Sequence, residues 1–166
     1  MNGNPLPGAQ SQPFSHRGFT YPAALLLIVI TSISLMGVQK YWSTTMQRER
    51  EKTLLFNGLQ IQNAIASYYR HGPGGKPSFP HSLKVLINDA RSGRVRRHLR
   101  RLYADPMTPD GQWGQVLDGQ GGIKGVFSRS NGKPLKQDNF PAAFSHFRNK
   151  KKYSDWKFVF EPGKGG

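Results

Sequence analysis

Between Gly18 and Gln39 the only ionisable residue is Tyr21. The run Ala23-Ala24-Leu25-Leu26-Leu27-Ile28-Val29-Ile30 continues through Ile33, Leu35, Met36 and Val38. A helix of about 20 apolar residues spans a hydrocarbon core of about 30 Å. The pattern therefore predicts a transmembrane helix over residues 19–39. The run exceeds the roughly 7–15 residues of a secretory h-region. Lys40-Tyr41-Trp42 follows it, where a signal peptide would have small residues for cleavage. Tyr41 and Trp42 sit where an interfacial aromatic belt is expected. A helix apolar on every face needs lipid or a large protein core around it, and this chain is too small to supply the core.

The pattern then changes period without a break. Residues 40–70 contain no Pro and one Gly, Gly58. Leu54, Ile61, Ile65 and Tyr68 recur at helical spacing on one face, with Leu55 and Leu59 beside them. Arg48-Glu49-Arg50-Glu51-Lys52 alternates in sign and reads as a solvated turn. His71-Gly72-Pro73-Gly74-Gly75 stops the helix, because Gly suits the cap and Pro cannot continue it. One helix from about Phe19 to Arg70 would be roughly 75–80 Å long at 1.5 Å per residue. Its first half is apolar all round and residues 40–70 are its amphipathic continuation.

Residues 71–166 lose the helical period. Leu83, Leu86 and Ile87 predict a short amphipathic helix, capped by Ser82 or Ser78. Asp105-Pro106 and Pro109-Asp110-Gly111 are turn formers. Trp113–Leu117 and Ile123–Ser128 predict a hairpin around the Asp118–Gly122 turn. Trp156–Phe160 alternates and predicts a last strand, ended by Pro162. Residues 129–154 read as a long loop, in which Phe140, Phe144 and Phe147 predict a short helix over the sheet. The fold class is α+β: a long N-terminal helix, transmembrane in its first half, packed on a small antiparallel sheet.

Composition narrows the chemistry. The 166 residues carry 24 Lys+Arg against 9 Asp+Glu, a formal net charge of +15, and no Cys. Without cysteine there is no disulfide framework, thiol nucleophile or Cys-ligated metal. The carboxylates are scattered, and Asp105, Asp110 and Asp118 stand at turns. His16, His71, His81, His98 and His146 show no metal-ligand spacing. There is no Gly-x-Ser-x-Gly elbow, and Gly119–Gly122 lies in a hairpin rather than before a helix, which argues against a phosphate cradle. No enzyme activity, metal or cofactor is expected. The charge itself is the candidate chemistry. Arg94, Arg96, Arg97, Arg100 and Arg101, with Lys150, Lys151 and Lys152, are candidates for polyanion binding or partner docking.

The N-terminal end carries a specific signal. Ser15-His16-Arg17-Gly18 is followed by Phe19-Thr20-Tyr21-Pro22 and then the apolar run. A short basic leader ending in Gly, then Phe-Thr, then a membrane helix resembles the leader of type IV prepilins and type II secretion pseudopilins. The later segments Phe79-Pro80-His81-Ser82-Leu83, Leu102-Tyr103-Ala104-Asp105-Pro106-Met107-Thr108, Trp113-Gly114, Ile123-Lys124-Gly125-Val126-Phe127-Ser128 and Ser154-Asp155-Trp156 also resemble pseudopilins, so the likeness covers most of residues 15–160.

The resemblance implies that residues 1–18 are a prepilin leader. It implies that prepilin peptidase cuts between Gly18 and Phe19 and N-methylates Phe19. Residues 71–166 become a periplasmic pseudopilin-like domain, and the chain a single-pass protein of the bacterial inner membrane. Its implied partners are prepilin peptidase, other pseudopilin or pilin subunits, and inner-membrane lipid. The family usually has Glu at the fifth mature position, here Ala23, and minor, tip-located pseudopilins include a class that also lacks it. Major pseudopilins bind calcium in a late loop; here Asp138 and Asp155 stand among Lys150, Lys151 and Lys152, which opposes a site for a hard cation. Orientation rests on the leader, since Lys40, Arg48, Arg50 and Lys52 after the span outnumber Arg17 before it. Two further readings stay open: a basic minor pilin-like protein that binds nucleic acid for DNA uptake, and a single-pass anchored protein with no filament role.

Overall fold

In the computed structural model the described residues are 20–163, and the side chains of residues 20 and 33–41 lie outside the description. The expected leader, residues 1–18, and Phe19 also lie outside it. The chain divides into two compact units, Met1–Ser43 and Thr44–Gly166. Helix α1 runs from Thr20 to Arg70, and the secondary structure is α+β with a small three-stranded antiparallel sheet.

In the first unit Leu25, Leu26, Leu27, Ile28, Val29 and Ile30 are all exposed. The hydroxyls here turn back onto the helix: Thr31 Oγ1 donates to Leu27 O at 2.9 Å and Ser32 Oγ to Ile28 O at 2.7 Å. That satisfies each polar group without an outside partner. Among the described residues no helix is long and apolar enough to cross a membrane. The expected span 19–39 falls partly outside those residues, at Phe19 and at the side chains from position 33 onward.

In the second unit the predicted apolar face of α1 is the core face. Leu54, Ile61 and Ile65 are fully buried and Tyr68 nearly so. Strands β1 (Trp113–Leu117), β2 (Ile123–Ser128) and β3 (Lys157–Val159) form the sheet in the order β1-β2-β3. The hairpin register pairs Trp113 with Ser128 and Val116 with Gly125, then shifts by a bulge at Val116/Leu117. β3 pairs Gly125 with Val159 and Val126 with Phe158. It is shorter than the 156–160 pattern predicts, because Trp156 ends a 3-10 turn over Tyr153–Asp155 instead of entering the ladder. Ile123, Val126 and Phe158 share one core with the helix residues. Each such side chain contributes about 1.5–3 kcal/mol on burial.

Gly58 sets how closely helix and sheet approach. A Cβ there would lie 2.5 Å from ring carbons of Phe158. Gln62 Nε2 crosses the same seam to Val159 O at 2.7 Å. Gly114 of β1 is likewise covered by the ring of its cross-strand partner Phe127.

Two local expectations change form. The helix expected around Leu83 is a single 3-10 turn, Leu83–Leu86, capped by Ser82, whose Oγ accepts from Lys84 N at 3.3 Å. The phenylalanine helix is also 3-10, Ala142–Phe147. It covers the sheet as expected: Phe147 stacks on Trp156 with centroids 5.4 Å apart and meets Phe158 edge-on at 5.1 Å.

A third expectation is corrected. The charged turn at 48–52 is not solvated throughout, since Glu51 is only 4% exposed. Its Oε1 accepts from Leu135 N at 2.5 Å and from Tyr153 Oη at 2.7 Å, and Oε2 accepts from Lys136 N at 3.2 Å. Gln47 Nε2 donates to the same Tyr153 oxygen at 2.8 Å. Burial, reinforced by the Glu51 carboxylate, pushes the Tyr153 hydroxyl well above its ordinary pKa. The helix thus ties down the 129–154 loop, whose backbone donors have no sheet partner there. Neighbouring Glu49 keeps the expected character in an exposed pair with Lys52 at 2.7 Å.

Candidate functional site

The arginine-rich segment folds as a loop stitched to the core at both ends. Leu86 is buried, and its carbonyl accepts from His98 N at 2.8 Å and Leu99 N at 2.9 Å. Asp89 and Arg96 exchange backbone hydrogen bonds of 2.9 and 2.8 Å, a one-pair antiparallel bridge. Between them Arg91 to Arg94 form the turn.

The Asp89 carboxylate fastens this bridge. Its side chain is 3% exposed. Arg91 grips it with Nε on Oδ1 and Nη2 on Oδ2, both at 2.9 Å, and Arg91 N adds a third bond at 3.1 Å. His98 Nε2 reaches Oδ2 at 3.1 Å. The Arg91 guanidinium also donates to Tyr68 O and to Ser78 Oγ, each at 3.1 Å, and lies 3.3 Å from the centroid of the Tyr68 ring. Hydrogen bonding from Arg91 holds the Asp89 carboxyl well below the usual carboxylate range, against the opposing effect of burial. Burial pushes the Tyr68 hydroxyl up. Arg91 is therefore a structural cation, unlike the other arginines of its run.

His98 extends the cluster to the helix. Its Nδ1 lies 2.8 Å from Ser67 Oγ, so serine, histidine and aspartate line up in one chain. The chain lacks what a nucleophilic relay requires. Asp89 already neutralises Arg91, so it has little left to stabilise an imidazolium. The His98 side chain is 1% exposed, which closes the ring to a substrate. The arrangement is a polar clamp between α1 and the loop. Sequence inspection passes over it because its members lie 31 and 9 residues apart.

The clamp leaves Arg94, Arg96, Arg97, Arg100 and Arg101 exposed on one loop. Arg97 and Arg100 line a cavity of about 370 Å³ with Gln60, His98, Leu99 and Tyr103. Phe56, one helical turn before Gln60, meets Tyr103 edge-on with centroids 6.0 Å apart and interplanar angle 89°. The Arg101 guanidinium lies 5.1 Å over the Tyr103 ring. Behind the cavity the chain is pinned by Asn57 Nδ2 to Ala104 O at 3.0 Å and Trp113 Nε1 to Tyr103 O at 2.8 Å. Asp105 is more than a turn former. It is 1% exposed and accepts from Ser128 Oγ at 2.7 Å and Met107 N at 2.9 Å.

The remaining predicted positions are not brought together here. Lys150, Lys151 and Lys152 are exposed but do not line the cavity, and Gly18 and Phe19 lie outside the described residues. Asp138 pairs with Arg148 at 2.8 Å. Among the described residues no group of three His, Cys, Asp or Glu is placed to hold a metal ion. Gln60 in the cavity lining and Phe56 against Tyr103 are what sequence reading missed, because their proximity to the loop depends on how it returns to the helix. No family model matches this chain, and no curated protein and no solved structure matches it either.

Proposed function

We propose that this protein is a structural, non-catalytic, pseudopilin-like subunit of a type II secretion or type IV pilus-like assembly. Prepilin peptidase removes residues 1–18 and methylates Phe19. Before assembly the helix from Phe19 to about Gln39 anchors the chain in the bacterial inner membrane, with the sheet domain in the periplasm. In the fibre the same apolar surface packs against neighbouring subunits. Ala23 stands where the family usually has Glu, so incorporation depends on helix packing and domain contacts.

One observation carries the reading. A basic leader ending Arg17-Gly18 before Phe19-Thr20 runs into a helix whose apolar side chains from Leu25 to Ile30 are exposed and whose later half packs on a small antiparallel sheet. Exposed leucine and isoleucine on consecutive positions are costly in water and stable in lipid or against other helices.

Intact mass of the membrane-extracted protein tests it, with and without prepilin peptidase and with Gly18→Ala. The expected result is loss of residues 1–18 plus one added methyl group, abolished by the substitution. A chain that retains Gly18 in the presence of the peptidase sinks the reading and leaves a basic, single-pass protein with no filament role.

A further inference from the structure

We infer that the cavity between α1 and the arginine loop is a docking site for an acidic polypeptide segment of a different protein. This goes beyond the filament reading and does not depend on it. Among the described residues no carboxylate is paired with Arg94, Arg96, Arg97 or Arg100, while Arg91, Arg129 and Arg148 each have one. Arginine presents a planar fork that matches a carboxylate bidentately. A cavity of about 370 Å³ with two arginines in its lining has room for one or two acidic side chains.

A second copy of this chain is a poor match. Of its nine carboxylates, Glu51, Asp89 and Asp105 are buried, Glu49, Asp110 and Asp138 are in surface ion pairs, and Asp118 accepts from Gln120 N and Gly122 N of its own turn. With a net charge of +15, two copies also repel. The partner must carry the opposite sign.

Polypeptide fits better than nucleic acid because of the aromatic pair. Base binding uses open aromatic faces as stacking platforms. Tyr103 instead has Arg101 over its ring and Phe56 against it edge-on. That pair makes an apolar wall, and Phe56, 54% exposed, offers it to an apolar side chain beside the acidic ones. The Asp89 clamp holds the loop in place before any partner arrives, so little ordering entropy is lost on docking.

The test is fluorescence anisotropy on the full chain. The probes are a labelled oligoglutamate peptide, an oligothymidylate of equal charge, and vesicles of phosphatidylglycerol. The variants are Arg97→Ala with Arg100→Ala, Arg97→Lys with Arg100→Lys, and Lys150→Ala with Lys151→Ala, which removes the same charge elsewhere. Expected are tighter binding of the peptide than of either other probe, and loss of about tenfold in peptide affinity with the arginine-to-alanine pair. The arginine-to-lysine pair keeps the charge but loses the forks, and weakens peptide binding by about threefold or more. The lysine pair changes it by less than about twofold. Equal weakening by both alanine pairs would mean diffuse attraction to a basic protein, and would overturn the site. Tighter, arginine-dependent binding of the oligothymidylate or the vesicles would overturn the acidic-polypeptide assignment, as would no peptide binding at all.

Discussion

Replacing Asp89 with Ala removes the anion on which the arginine loop is fastened. Three bonds from Arg91 and one from His98 disappear together. Breaking a buried ion pair by deleting one partner costs about 3–5 kcal/mol when the remaining charge is stranded. Arg91 is not fully stranded: its side chain is 22% exposed and keeps Tyr68 O, Ser78 Oγ and the Tyr68 ring. The expected loss is therefore smaller, about 2–3 kcal/mol. For a folded unit of this size that lowers the melting temperature by about 6–15 °C. Asp89→Asn, which keeps an acceptor but not the charge, should fall between.

The same carboxylate gives a pH signature with a definite sign. In the unfolded chain Asp89 binds its proton near pH 4. In the folded chain Arg91 keeps it ionised to lower pH. Its contribution is thus fully present above about pH 5 and drains away as pH falls below about 4. Thermal melts followed by tryptophan fluorescence between pH 2 and 7 should show a shallower acid limb for Asp89→Asn than for the parent chain. Unchanged melting of Asp89→Ala, within about 0.5 kcal/mol, would refute the clamp as the element that holds the loop.

Two further outcomes follow from the packing. Glu51→Ala takes the acceptor from Tyr153 Oη and from the N–H groups of Leu135 and Lys136, and should cost about 3–4 kcal/mol, with Glu51→Gln costing about half; chemical denaturation midpoints check both, and equal midpoints for the two variants would contradict the charge-assisted reading. Gly58→Ala gains about 1 kcal/mol of helix propensity but forces its methyl onto the ring of Phe158, itself 1% exposed, at an overpacking cost of about 1–3 kcal/mol; the melt should fall, and a rise would show that the ring can retreat.

Period and punctuation made much of this architecture legible. Leu54, Ile61, Ile65 and Tyr68 were placed on one face by spacing alone, and that face is the core. Gly72 and Pro73 marked the end of α1, which stops at Arg70. The hairpin strands lie at the positions their alternation and the Asp118–Gly122 turn indicated. Such features are local: side-chain period and turn chemistry act over a few residues, so one stretch of chain contains all the information. The 3-10 form of Leu83–Leu86 was less legible, because three apolar residues fit either helix.

Charge was read less well, since the role of a charged residue depends on what lies across from it. Glu51 and Glu49 occupy the same alternating turn, yet one is buried under the 129–154 loop and the other faces solvent. Arg91 and Arg97 belong to the same basic run, yet one is the counterion of a buried aspartate and the other lines a cavity. Their difference is set by Asp89, Ser78 and Tyr68 for Arg91, and by Gln60 and Tyr103 for Arg97. The helix, its apolar and amphipathic halves, the hairpin and the excess of positive charge all follow from short-range pattern and composition. Which carboxylates are buried, which arginine is structural, and where, among the described residues, guanidinium groups gather without a carboxylate partner follow from the folded chain, because desolvation and pairing depend on contacts between segments far apart in the chain.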